Sequence, residues 1–594
     1  MTDFEFGNRK YVIIGVAVAI VLIYLIRLFG LQIASSDYKK NADSNAFLRK
    51  NEFPSRGVIK DRNNKLMVYN QLTYDLMVVT NEMRPSMDTT DFCRCIGISK
   101  DEFIERMDNI KNPDKNPSYS RFSQQLFLPQ LTMREFNVLH EKMFRFPGFY
   151  VQKRAIRQYH YPYAAHVLGE VAQVSPSDIE EDDYYQPGDY IGKIGVERYY
   201  EEYLRGEKGV HVMLRDARGR IQGSYKNGAM DKQPRPGRNL TLGLDIELQK
   251  LGEKLMRGRK GSIVAIEPST GEILCMVSAP SYDPRLLVGR NRGKNHMKLQ
   301  ENESRPLLNR AITGLYPPGS TFKPAQGLVF LQEGISNAGT AYPCHGGFVH
   351  KGLKVGCHYH NSPLTIGPAL ATSCNGFFCW GLYYMMSNRR KYRTIDEAMN
   401  KWRDYMVSMG FGYKLGVDLP GEKRGLIPNA EFYNKAYSGR WNGLTIISIS
   451  IGQGEVLLTP LQIANQAATI ANRGFYYIPH VVKEVQGLPL DTIYTERHYT
   501  MAKSRYYDYI VQGMRSAVVG GTCSAANIPG LSICGKTGTV QNRGSDHSVF
   551  MGFAPMRNPK IAIAVYVENG GFGAASAVPI AGQMFRGFFN SKKD

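Results

Sequence analysis

With 594 residues and 43% hydrophobic content, the chain has room for several folded domains and is too polar overall for a polytopic membrane protein. The formal charge of +21 is scattered among 53 acidic residues with no dense Lys/Arg tract, which argues against nucleic acid as a partner and for a solvated basic surface. Of nine cysteines, seven stand in or beside apolar segments and read as small buried hydrophobes; only Cys344 and Cys357 lie in a His- and Gly-rich stretch.

The first predicted element is a membrane span. Tyr11 to Ile26 is uninterrupted apolar, and Leu28 to Ile33 prolongs it past Arg27 to the roughly 20 residues that cross a hydrocarbon core. Arg9 and Lys10 favour a cytoplasmic tail over residues 1–10, an anchor over 11–33 and everything after it outside. A cleaved signal peptide is the rival reading, but the run is long for one, and Ala34-Ser35-Ser36 is only the nearest approach to a cleavage site.

Residues 34–238 read as an extended β-rich module. It opens with the alternating stretch Pro54 to Asn64, broken by the turn-forming Asn63-Asn64, and continues into a strand over Leu76 to Thr80. Residues 84–145 predict an inserted helical head, with helices over Lys100 to Asn109 and Thr132 to Met143. The module resumes at Ala164 to Gly169 and Ile194 to Tyr200 and ends in a hinge, Gln233-Pro-Arg-Pro-Gly-Arg238.

From 239 to 594 the texture changes to apolar strands and long helices. Gly261 to Val277 predicts a hairpin turning at Pro268 to Gly271, and a second strand pair is expected at Val549 to Ala554 and Lys560 to Val567. Strands at both ends with helices between them imply an α+β domain: an antiparallel sheet flanked by helices, with a helical subdomain.

Three short words stand in this domain in order: Ser320-Thr-Phe-Lys323, Ser373-Cys-Asn375 and Lys536-Thr537-Gly538-Thr539. Each alone is weak; Ser-x-x-Lys recurs at Ser36 to Lys39 beside the apolar segment. In this order they resemble the motif set shared by penicillin-binding proteins and class A β-lactamases, which are serine acyltransferases. On a helix start, Ser320 and Lys323 share a face, and the lysine becomes a base for the hydroxyl once burial or a second cation, such as Lys536, pushes it toward neutrality. Ser373 offers a proton relay, and Asn375 an amide for a substrate carbonyl. Lys536 to Thr539 suits an edge strand, where Gly538 admits a substrate backbone and Thr537 and Thr539 supply donors to a carboxylate.

On these words, with Pro54-x-Arg56-Gly57-x-Ile59-x-Asp61-Arg62, Tyr316-Pro-Pro-Gly319, Ser450-Ile-Gly-Gln-Gly-Glu-Val and His547-Ser-Val-Phe-Met-Gly-Phe, the chain resembles the class B penicillin-binding proteins over almost its whole length. The Tyr-Pro-Pro-Gly and Gly452-Gln453-Gly454 segments favour their elongation branch. The resemblance implies a dimerisation-type pedestal and a transpeptidase domain on the outer face of the bacterial inner membrane. It implies cross-linking of peptidoglycan stem peptides through a Ser320 acyl-enzyme, with β-lactams as covalent inhibitors. Lys323 would be the base, Ser373 the relay to the leaving amine and Asn375 a peptide holder. Lys536, Thr537 and Thr539 would bind the donor carboxylate, and the backbone N–H groups of Ser320 and Thr539 the oxyanion. Catalysis would need no cofactor, and a SEDS-type glycosyltransferase would be the membrane partner. A division-type transpeptidase, a D,D-carboxypeptidase and a β-lactam sensor use the same words and remain alternatives.

A second site is expected just before Ser373. Cys344, Cys357, His358 and His360, with His345 and His350 nearby, supply thiols and imidazoles for a tetrahedral zinc, and two cysteines in an oxidising compartment equally suit a disulfide. Relatives in this subfamily carry Cys or Asp followed by His here, some with zinc, and His360 matches that histidine best. The fourth ligand stays open among His358, His345, His350 and Cys374.

Overall fold

Glu5–Phe29 forms one α-helix. Its apolar part, Lys10–Phe29, is long and apolar enough to cross a membrane and buries none of its surface against the rest of the chain. The computed structural model describes residues 5–29, 47–116, 119–122, 124–215 and 221–590. The expected continuation of the span through Ile33, the Ala34-Ser35-Ser36 segment and the Ser36 to Lys39 pair lie outside the described residues.

The pedestal is built on a six-stranded sheet. Leu66–Val78 is its spine, pairing antiparallel with Ile59–Lys60, Gln125–Leu131 and Phe149–Tyr159. The turn before the spine follows from its sequence: Asp61 Oδ1 accepts from the backbone of Asn63 and Lys65, and Asn64 takes the left-handed conformation that asparagine tolerates. Arg56 bonds Glu197 and Glu201, and Arg157 also bonds Glu197, so the Pro-x-Arg-Gly stretch is fastened to the second half of the module.

The head has the expected helices, Lys100–Lys111 with Ser99 as cap and Met133–Lys142 behind a Thr132/Glu135 capping box, and a further one over Thr89–Ile96. It is not wholly helical. Gln125–Leu131 between them is a strand of the pedestal sheet, so the head shares that sheet, and Phe92, Phe103, Phe127, Phe146 and Phe149 form their common core.

Beyond the hinge, Leu240–Leu242 runs parallel to Ile59–Lys60, and Val482–Val485 pairs with its other edge. Two strands from beyond the hinge therefore extend the pedestal sheet, a firmer join than a flexible linker. Arg62 reinforces it by reaching Glu267 at 2.7 Å.

The domain beyond the hinge holds a five-stranded antiparallel sheet, ordered Ile273–Ala279, Lys260–Ile266, Ile561–Glu568, His547–Ala554 and Cys534–Val540. The expected hairpin is present, closed by Glu267 N–H to Glu272 O at 2.8 Å. One face of the sheet packs against helices Ile246–Leu255 and Ala577–Asn590. Pro460–Ala471 covers the other, and beyond it lie the helices that carry Lys323 and Asn375.

Candidate active site

Tyr316 fixes the approach to Ser320. It exchanges two backbone hydrogen bonds with Leu458, stacks on Tyr566 at 4.3 Å and donates its hydroxyl to Glu568 at 2.7 Å. Gly319 follows with φ +56° and gives its N–H to the carbonyl of Gly452, itself at φ +71°. The two glycines let these turns touch, because a Cβ on Gly452 would collide with the Gly319 carbonyl oxygen.

The α-helix begins at Lys323, one turn later than expected, and Ser320 lies on a preceding 3₁₀ turn, Gly319–Phe322. Pro324 explains the shift. It has no N–H to close an α-helical bond to the Ser320 carbonyl, which accepts instead from Lys323. Residues three apart eclipse on a 3₁₀ turn, so Ser320 and Lys323 keep the common face that the motif requires.

Lys323 is fully buried. Its Nζ donates to Ser373 O at 2.7 Å, Ser373 Oγ at 3.3 Å and Asn375 Oδ1 at 2.6 Å. Ser373 sits between two helices at φ +58°, whereas Asn375, expected in the same loop, is the first residue of helix Asn375–Ser387. Asn375 also donates through Nδ2 to Gly356 O and through its backbone N–H to Cys357 Sγ.

Cys534–Val540 is the edge strand of the sheet. Lys536 on it is fully buried, and Gly538 faces the Ser320 turn so closely that a Cβ would stand 3.0 Å from Pro318 O. Thr537 donates to Thr522 Oγ1 at 2.9 Å; Thr539 Oγ1 accepts from Gly573 N–H at 3.1 Å and keeps its own O–H to give. Thr522 escaped the sequence reading. It joins two walls of the site, since its N–H also reaches Ala371 O beside the Ser373 loop, and its only sequence signal is Gly520-Gly521-Thr522 closing a helix.

Burial pushes Lys323 down to about 8, partly opposed by the neighbouring thiols. Burial and then the charge of Lys323 push Lys536 down to about 7. Two ammonium groups crowded in one dry pocket give the neutral amine that general-base work needs near neutral pH.

The second cluster adjoins this one. Sulfur and nitrogen atoms of Cys344, Cys357, His360 and Cys374 lie within 4.8 Å of one another. Three expected ligands meet, and of the residues left open for the fourth place it is Cys374, inside the Ser-Cys-Asn word, that completes the set; His358 is exposed, with its Nδ1 3.9 Å from Cys357 Sγ. His350 instead bonds Tyr383. All nine cysteines are free thiols, without the alternative disulfide. Hydrogen bonding from Cys374, with further bonds from His358, the Asn375 backbone and His360, pulls the Cys357 thiol well down. Three sulfurs and one imidazole, with a thiolate already favoured, suit a tetrahedral zinc.

Residues 261–586 match the penicillin binding protein transpeptidase domain and residues 51–242 the penicillin-binding protein dimerisation domain. The peptidoglycan D,D-transpeptidase MrdA of Acinetobacter baumannii is 32% identical over 616 residues, spanning 96% of this chain and 86% of the relative. A solved complex between penicillin-binding protein PBP2 and MreC from Helicobacter pylori is similar at a TM-score of 0.77 and 25% identity, over 92% of this chain and 99% of that one. A structure of a peptidoglycan synthase complex, concerned with coordination of polymerization and crosslinking, is similar at a TM-score of 0.70 and 27% identity, over 98% of both chains. With both domain models matched in order and a relative of this identity along nearly the whole chain, the protein belongs to the penicillin-binding proteins.

Proposed function

We propose that the protein is an elongation-type peptidoglycan D,D-transpeptidase whose nucleophile is Ser320. The observation that carries this reading is the convergence of all three words on Lys323: its Nζ meets both Ser373 and Asn375, it stands one 3₁₀ turn from Ser320, and its charge bears on Lys536.

Neutral Lys323 takes the Ser320 proton as Oγ attacks the penultimate D-Ala carbonyl of a donor stem peptide. The oxyanion is held by the N–H groups of Ser320 and Thr539, donors of a kind worth about 3 to 4 kcal/mol each. Lys536 and the Thr539 hydroxyl bind the terminal carboxylate, with Thr537 fixed behind them on Thr522. Ser373 passes a proton to the departing D-Ala amine. An acceptor amine then attacks the ester, its proton returns through Lys323, and the cross-link forms as Ser320 is released. β-Lactams enter as donor mimics.

The exposed helix over Lys10–Phe29 is the membrane anchor, with the catalytic domain on the outer side. A SEDS glycosyltransferase is the polymerising partner and an MreC-type protein a second partner; the similar structures include a complex with MreC and a peptidoglycan synthase complex that coordinates polymerization and crosslinking.

The test incubates the full-length protein in detergent with a fluorescent penicillin, and separately with a donor stem peptide plus an amine. Covalent labelling absent in Ser320→Ala and an amine-linked product from wild type are expected. Release of D-Ala with no amine-linked product would make the protein a carboxypeptidase, and labelling that persists in the variant would displace Ser320 as nucleophile.

Cys344, Cys357, His360 and Cys374 would hold a structural zinc, which supplies no chemistry to the reaction. Its role is to brace the segment from which Asn375 N–H reaches Cys357 Sγ. Elemental analysis should find one zinc per chain, falling at least tenfold in Cys374→Ala; wild type purified under reducing conditions without stoichiometric metal would refute the site.

A further inference from the structure

A cavity of about 300 Å³ lies between the pedestal strand Phe149–Tyr159 and residues 287–293 of the transpeptidase domain. Seven Arg and Lys side chains line it with one carboxylate, Asp189, and each of the seven is paired with a carboxylate. The acids that balance three of these guanidiniums stand behind them. Arg154 meets Asp75, Arg157 meets Glu197 and Arg292 meets Glu170, and none of those carboxylates lines the cavity.

These pairings leave donors unspent. Arg157 gives Nε to Glu197 and Nη1 to Asn70, while its Nη2 is buried with no partner. Arg154 gives Nη1 to Gly188 O and turns Nε toward Asp75; Arg292 gives Nε and Nη2 to Glu170. Arg154 Nη2 and Arg292 Nη1 have no partner among the described residues. Of the three, only Arg157 Nη2 is buried, and a buried charged donor without an acceptor is costly, so native structures leave few of them unmatched. The arginines are also held in place: the Arg154 guanidinium lies 4.6 Å from the Phe53 ring centre and 4.9 Å from that of Tyr190. Preorganised guanidinium groups bind carboxylate and phosphate through paired N–H bonds.

We propose that this cavity binds a small oxyanion, a carboxylate or a phosphate group, and that the anion ties the pedestal to the transpeptidase domain. Arg154 and Arg157 contribute from one module and Arg292 from the other, so occupancy resists their separation. A stem-peptide carboxylate and a lipid-headgroup phosphate share this chemistry.

Isothermal titration of the full-length protein in neutral detergent, with N-acetyl-D-glutamate in one arm and glycerol 1-phosphate in the other, distinguishes the two sources. Saturable binding is expected in at least one arm, at least tenfold weaker in both Arg292→Gln and Gly293→Asp. Gly293 lines the cavity, and a Cβ there meets nothing within 4 Å, so the aspartate brings charge without a clash. Labelling of both variants by fluorescent penicillin at the wild-type rate verifies their fold, while binding is read directly and stands apart from that chemistry. Absence of saturation in both arms up to on the order of 10 mM, or wild-type affinity in the two folded variants, would overturn the proposal.

Discussion

Lys323→Ala should slow β-lactam acylation of Ser320 by about 10³-fold, within the range that a positioned general base supplies. Burial lowers Lys323 to about 8, and its three acceptors hold Nζ at a fixed point between Ser373 and Asn375. The alanine removes the proton acceptor and leaves the Ser373 and Asn375 oxygens without this donor, a cost of about 1 to 3 kcal/mol that relief of the buried charge offsets in part. Thermal denaturation therefore separates the chemical loss from a folding loss. Lys323→Arg should give no rescue, since a guanidinium stays charged throughout the working range. The working base is the neutral amine, so the wild-type acylation rate should rise with pH and level off above about 8. Below that value it falls tenfold per pH unit as the protonated fraction takes over. Stopped-flow acylation of Lys323→Ala at a near wild-type rate would exclude Lys323 as the base.

Gly452→Ala is expected to cost on the order of 100-fold in the same assay, although residue 452 has no role in the chemistry. Its left-handed backbone disfavours a side chain by about 1 to 2 kcal/mol. The added methyl also collides with the carbonyl of Gly319, immediately before Ser320. The Ser320 turn must retreat, and a displacement of about 1 Å at a reacting atom suffices for a loss of that size. Gly454→Ala serves as the comparison: that residue has a similar φ of +70°, but its Cβ would meet the side chain of Ser448 rather than the Ser320 turn. Acylation should therefore fall much further in the first variant than in the second; equal rates would show that the Gly319–Gly452 contact does not position the serine.

That the three words meet in one pocket was legible in the sequence because each word is local and each sits on an element with its own local signals. Pro317, Pro318 and Pro324 mark the Ser320 turn, and apolar Leu531 to Cys534 lead into the strand bearing Lys536. What it concealed depends on partners distant in the chain. Gln125–Leu131 looks like part of a helical head until Leu66–Val78 is beside it, and Leu240–Leu242 belongs to the pedestal sheet only because Ile59–Lys60 pairs with it. The open fourth ligand beside Cys344, Cys357 and His360 has a different origin. Composition supplied more candidate ligands than a tetrahedral ion accepts, and the direction of each side chain in a turn is a property of coordinates. Thr522 was hidden because a hydroxyl at a helix end is ordinary until Thr537 is seen donating to it.

The order of strands in the transpeptidase sheet also bears on how the protein is made. Lys260–Ile266, among the first strands of the domain to be synthesised, pairs with Ile561–Glu568, among the last, and Lys260 lies opposite Glu568 across almost the whole domain. Gly319 packs against Val540 and Thr539 on the edge strand, which is itself anchored through His547–Ala554 to that late strand. A chain still emerging from the ribosome or the export channel can hold Ser320 and Lys323 on their helix start but not the wall that carries Lys536. Such long-range closure is slow and comes late, so sensitivity to β-lactams begins only once translation has reached the final strands.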